Sequence, residues 1–170
     1  MDGGKIRWMI RSDFERVIQI EHLSFDSRWD ISDLIMFHRQ KNCVGIVIES
    51  DGIVIGYLCY ELHVKMISVL NFAVVPCKRL RGYGTAMIQW LIEKLEQGVR
   101  KEIVLELRET NLIAQLFFKQ MGFKCVSILD NYFNEINEDG YLFSYGSPEE
   151  NQEKYSTKNR ITEFFNGRET

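Results

Sequence analysis

The chain has 170 residues, 45% of them hydrophobic and 26% charged, and carries a formal net charge of -3. That length suffices for one domain with a full core. The negative balance excludes a general nucleic-acid binder, which needs a basic footprint. No apolar run reaches the length of a membrane span, and the opening Met1–Lys5 lacks a secretory signal.

Residues Lys5 to Ile10 read as a first strand. Ser12 or Asp13 then caps a helix carrying Phe14, Val17, Ile18, Ile20 and Leu23 at helical spacing. After Phe25–Asp30, Ser32 is expected to cap a second helix running through Gln40. Strands follow at Val44–Glu49, Ile53–Leu62 and about Met66–Val75. Asp51-Gly52 between the first two signals a two-residue hairpin. Met87, Ile88, Leu91, Ile92 and Leu95 line one face of a later helix that Gly98 should stop. A strand at Ile103–Leu107 leads to a helix from Asn111 to Met121, ended by Gly122. Strands at Lys124–Tyr132 and Tyr141–Tyr145 complete the pattern. Hairpins first and strand–helix–strand–helix later predict an α/β (α+β) fold, a mixed central sheet of about seven strands with helices on both faces. From Ser147 the composition turns polar, interrupted by Ile161, Phe164 and Phe165. A domain over 1–146 and a tail over 147–170, with a short terminal helix as one form of it, are expected.

Cys43, Cys59, Cys77 and Cys125 form no close pair, and His22, His38 and His63 show no ligand spacing. Reduced thiols in a cytoplasmic protein without a metal site are the expectation.

The most informative stretch is Leu70–Ala86, an apolar strand, a basic turn and a helix start. Free amide groups at a helix N-terminus and the helix dipole attract anions, and glycine lets a phosphate approach the backbone. A plain structural turn is the alternative. The spacing Arg79-x-x-Gly82-x-Gly84 is neither a nucleoside-triphosphate loop nor a dinucleotide fingerprint.

This turn resembles that of the GNAT N-acetyltransferase superfamily, where Arg/Gln-x-x-Gly-x-Gly/Ala holds the pyrophosphate of acetyl-coenzyme A. Three further blocks extend the resemblance over about Lys5 to Tyr145. Leu105-Glu106-Leu107-Arg108 with Asn111, Ala114, Phe117-Phe118 and Gly122-Phe123 is similar to the Leu-Glu-Val-Arg block of the RimI-type ribosomal-protein alanine N-acetyltransferases. Ile20-Glu21, Phe25 and Trp29 match that group's Ile-Glu…Phe-Pro-Trp segment, with Arg28 in place of proline. Asn131-Tyr132-Phe133 stands where the group carries Asn-Tyr-Tyr.

The resemblance implies an acetyl-CoA-dependent N-acetyltransferase. Its acceptor is a protein or peptide N-terminal α-amine, ribosomal-protein-like, with a small amine or amino acid as the alternative; a non-catalytic acyl-CoA sensor is a third reading. A monomer or homodimer is expected. Phe72, Ala73 and Val74 would offer main-chain groups to the cofactor arm and thioester carbonyl, unless they form an ordinary core strand. Leu80, Arg81, Gly82, Tyr83, Gly84 and Thr85, with Arg79, would hold the pyrophosphate. Glu106 would act as general base or else pair with Arg108. Asn111 would bind coenzyme A or cap its helix. Phe118 aligns with the family's proton-donating tyrosine and lacks the hydroxyl, which leaves Tyr132, a water, or unassisted departure of the thiolate. Glu21, Phe25, Trp29, Tyr132 and Tyr141 are candidates for the acceptor site, core packing being the alternative for Trp29 and Tyr141.

Overall fold

A computed structural model describes residues 4–26 and 28–146. The tail expected from Ser147 onward lies outside the described residues. The chain forms β1 (Lys5–Trp8), α1 (Phe14–Ser24), α2 (Ile31–Arg39), β2 (Cys43–Ser50), β3 (Ile53–Leu62), β4 (Met66–Val74), α3 (Tyr83–Gln97), β5 (Glu102–Arg108), α4 (Leu112–Gln120), β6 (Lys124–Phe133) and β7 (Glu138–Tyr145). Among the described residues, seven strands and four α-helices realise the expected α/β (α+β) architecture. They fall into two compact units that divide after Arg100.

In the first unit, β1, β2, β3 and β4 are antiparallel neighbours in that order. Ser50 opposes Ile53, and Asp51 and Gly52 both have positive φ (54° and 75°), the hairpin turn that this pair favours. Every residue from Val54 to Tyr60 is buried. Successive side chains point to opposite faces, so both faces of β3 are covered, with α1 and α3 packing on β3 and β4. The β3–β4 register shifts where Cys59 opposes Asn71 and Tyr60 opposes Val69, which leaves Leu70 as an extra residue in β4.

In the second unit β7 lies between β5 and β6, antiparallel to both. Phe123 joins α4 to the strands, its ring 5.2 Å from Phe118 and 5.3 Å from Tyr145. Gly122 (φ 90°) ends α4 in the left-handed conformation, and the Phe123 amide donates to the Phe118 carbonyl at 3.0 Å.

Two expected helix caps differ. Asp13 stands at the start of α1, but its carboxylate makes no cap bond there. It accepts two bonds from Arg7 (2.7 and 2.8 Å) and one from the Ile10 amide (2.8 Å), because a guanidinium partner is stronger than an amide. The cap of α2 is Asp30 rather than Ser32. Its Oδ1 accepts from the Ser32 and Asp33 amides at 2.7 and 3.0 Å, while Asp33 reaches back to the Asp30 amide at 2.8 Å.

Candidate active site

The turn between β4 and α3 shows why its sequence is glycine-bearing. Leu80 (φ 58°) and Gly82 (φ 86°) are both left-handed, and the Leu80 side chain stands fully in solvent. Gly82 is the N-cap of α3 and supplies no side-chain bond, and a Cβ built there would meet nothing within 4 Å. The helix is 15 residues long. The amides of Tyr83, Gly84 and Thr85 therefore lack intrahelical acceptors, at the positive end of its dipole and beside open space. Such a cradle fits a diphosphate. Both arginines are exposed, and Arg79 turns back, donating to the Val74 carbonyl (2.8 Å) and Ser24 Oγ (3.0 Å).

The strand leading into this turn is only partly buried at Asn71 and Phe72, then buried at Ala73 and Val74. Asn71 belongs to a cluster that the sequence reading did not assemble. Its Nδ2 donates to both carboxylate oxygens of Glu21, at 3.0 and 3.1 Å. The Tyr57 hydroxyl donates to Glu21 Oε2, and the Trp29 amide donates to Oε1 at 2.9 Å. Glu21 is 2% exposed. Burial pushes its carboxyl above the usual range, against the opposing pull of the Trp29 and Asn71 donors. Both carboxylate oxygens of Glu21 are thus buried and engaged within the protein. The available signals were Asn71, a polar residue inside an apolar strand, and Tyr57. Trp29 itself is half-buried with its ring 5.6 Å from Phe37, and Phe25 is half-buried at the end of α1.

In the second unit Glu106 is half-buried on β5 and stands opposite Leu142, while Arg108 stands opposite Gly140. A Cβ at Gly140 would meet the Tyr132 ring at 3.1 Å, so the missing side chain is what admits that ring. Alternation puts Glu106, Arg108, Gly140 and Leu142 on one face, and Tyr132 packs on that same face. Arg108 also lies over the Phe133 ring, 5.5 Å from its centroid. Tyr141 opposes Leu107 and Ile128, which places it on the other face. The two acceptor-site candidates Tyr132 and Tyr141 therefore stand on opposite faces of this unit's strands.

Asn111 is the N-cap of α4, its Oδ1 accepting from the Ala114 amide at 3.2 Å. Phe118, which shares its helix, is 2% exposed and packs edge-on against Phe117 and Phe123. Glu138 accepts from the Thr110 amide (2.8 Å) and hydroxyl, bonds that lower its carboxyl pKa and hold the turn after β5.

A model of the acetyltransferase (GNAT) family matches residues 14–123. An N-alpha-acetyltransferase of Sulfurisphaera tokodaii is 27% identical over 153 residues, covering 82% of this chain and 91% of its own. A ribosomal protein bS18-alanine N-acetyltransferase of Haemophilus ducreyi is 27% identical over 128 residues, covering 75% and 88%. Among solved structures, the ribosomal-protein-S18-alanine N-acetyltransferase of Escherichia coli matches with a TM-score of 0.77 at 20% identity, covering 87% of this chain and 97% of that one.

Proposed function

Because the chain belongs to the acetyltransferase (GNAT) family and is an N-acetyltransferase, we propose that it moves an acetyl group from acetyl-coenzyme A to the N-terminal α-amine of a protein or peptide. The uncapped start of α3 behind Gly82 carries the donor half of this reading. The two relatives described above, whose names specify α-amine acetylation, support the acceptor half.

When bound, acetyl-coenzyme A supplies an activated thioester carbonyl. The amides of Leu80 through Thr85, with the exposed Arg81, hold the diphosphate. The main chain of Phe72, Ala73 and Val74 receives the pantetheine arm and offers an N–H to the carbonyl oxygen, a donor that is oriented before charge develops. Glu106 accepts a proton from the incoming ammonium through water. An α-amine makes a modest demand on that base: with a pKa near 7.8, roughly one in five is already neutral at about pH 7.2, against about one lysine in a thousand or fewer. The Tyr132 hydroxyl donates to the departing sulfur in place of the hydroxyl absent from Phe118. Phe25 and Trp29 wall the acceptor, and Asn111 fixes the start of α4 that flanks the cofactor.

Arg28, Phe118 and Phe133, which depart from the N-terminal acetyltransferase pattern, favour a second reading with small amines as acceptors. Thiol release and product mass, measured with peptides beginning Ala, Ser or Met and with polyamines and free amino acids, separate the two. The peptides should be acetylated at the α-amine. Preference for polyamines or free amino acids overturns the acceptor assignment, and binding of acetyl-coenzyme A without turnover on any amine leaves a sensor.

A further inference from the structure

Glu21 grips both ends of the linker between α1 and α2. Its main-chain carbonyl accepts from the Phe25 amide at 3.0 Å, and its carboxylate accepts from the Trp29 amide at 2.9 Å. The same carboxylate is bonded to Tyr57 of β3 and Asn71 of β4, neighbours 36 and 50 residues away in sequence. Asn71 immediately precedes Phe72, the first residue of the donor strand, and follows the extra residue Leu70 that breaks the register. One buried side chain thus ties the linker to β4 through hydrogen bonds. Besides Tyr57, the carboxylate acts on Cys59, a fully buried thiol raised by burial and by Glu21's own charge.

We propose that Glu21 is the positioning residue of the acceptor site: it locks Trp29, at the end of the linker before α2, onto β4 and so sets acceptor affinity without touching either substrate. This rests on reading that linker as the acceptor wall. Hydrogen bonds from a carboxylate to a main-chain amide and to a strand side chain fix the linker's distance from the strand, which a hydrophobic contact alone does not do. Glutamine can serve almost as well. Its oxygen accepts from the Trp29 and Asn71 donors, its amide faces the Tyr57 oxygen, and the Tyr57 hydroxyl turns to Asn71 Oδ1, already 3.1 Å away.

The test compares wild type, Glu21→Gln and Glu21→Ala by steady-state kinetics with the preferred acceptor and with acetyl-coenzyme A, and by NMR hydrogen exchange at the Trp29 amide. Glu21→Ala should raise the acceptor KM about tenfold while the acetyl-coenzyme A KM stays within about twofold, and Glu21→Gln should restore the acceptor KM to within about threefold of wild type. Exchange at Trp29 should quicken in the alanine variant and not in the glutamine variant. If Glu21→Ala does not fold, Asn71→Ala, which removes one tether and leaves the carboxylate, should show the same split at smaller size. An unchanged acceptor KM, or both KM values rising in step, overturns the proposal. Wild type that acetylates only small amines overturns the peptide reading. The Glu21 comparison then runs on that amine, and exchange at Trp29 decides the tether independently.

Discussion

Tyr132 lies against Gly140, on the sheet face that also carries Glu106, because Gly140 has no side chain to keep it away. Glu106→Gln keeps the shape of a half-buried side chain and removes its basicity, so turnover should fall by about 10²–10⁴ while the KM for acetyl-coenzyme A holds. Initial-rate kinetics at saturating acceptor measure this, and wild-type turnover would remove Glu106 from the mechanism. Tyr132→Phe should cost less, roughly 10-fold to 100-fold in kcat, because a thiol with pKa near 8.5 leaves fairly well unaided. Adding Phe118→Tyr to that variant should recover part of the loss. That Glu106 lies late in a strand was legible from the sequence. The face that Tyr141 takes was not, since it depends on a register that only the paired strands reveal. Nor was the burial of Glu21, because its bonded partners lie up to 50 residues away.

Most elements were readable because their punctuation is local. Asp51-Gly52, Gly98 and Gly122 mark ends where the structure also ends them, to within a residue. The caps were less readable: Asp13 and Asp30 each had a competitor nearby, and the choice fell to partners such as Arg7 that local spacing does not show. The bulge at Leu70 left no mark in the residue pattern at all. In the proposed function, donor binding depends on the start of α3. Gly82→Ile meets no steric neighbour, yet it forces a β-branched residue into the left-handed region, at a cost of about 1–2 kcal/mol. The turn should relax away from its cradle geometry and raise the KM for acetyl-coenzyme A about tenfold or more. Calorimetric titration should show the same loss of affinity, and unchanged binding would dissociate the turn from the cofactor.

Across the described residues, stability responds to pH through buried carboxylates shifted in opposite directions, Asp13 and Glu138 downward and Glu21 upward. Burial alone would raise the Asp13 carboxyl, but the Arg7 and Ile10 bonds and the Arg7 charge hold it below its ordinary 3.8. Between those two values the unfolded chain binds more protons, so this contribution is present above pH 3.8 and is lost as pH falls through the lower folded value. Asp13→Asn should destabilise the protein by about 1–3 kcal/mol at neutral pH and flatten the acid limb of its melting temperature. Glu21, raised above its ordinary 4.5, works the other way: its contribution is complete below that value and declines as pH rises through the folded one. Melting curves of wild type and Asp13→Asn across the acid range check the first contribution, and Glu21→Gln checks the second. The cysteines divide as usefully as the carboxylates. Cys43 and Cys59 are sealed in the sheet, whereas Cys77 and Cys125 are exposed, one in each unit. Cys77 lies between β4 and α3, in the turn that the proposed function gives to the diphosphate, so slower alkylation of Cys77 when acetyl-coenzyme A is added is the expected sign of binding there. Cys125 keeps the reference clock, and neither label has to be engineered into the chain.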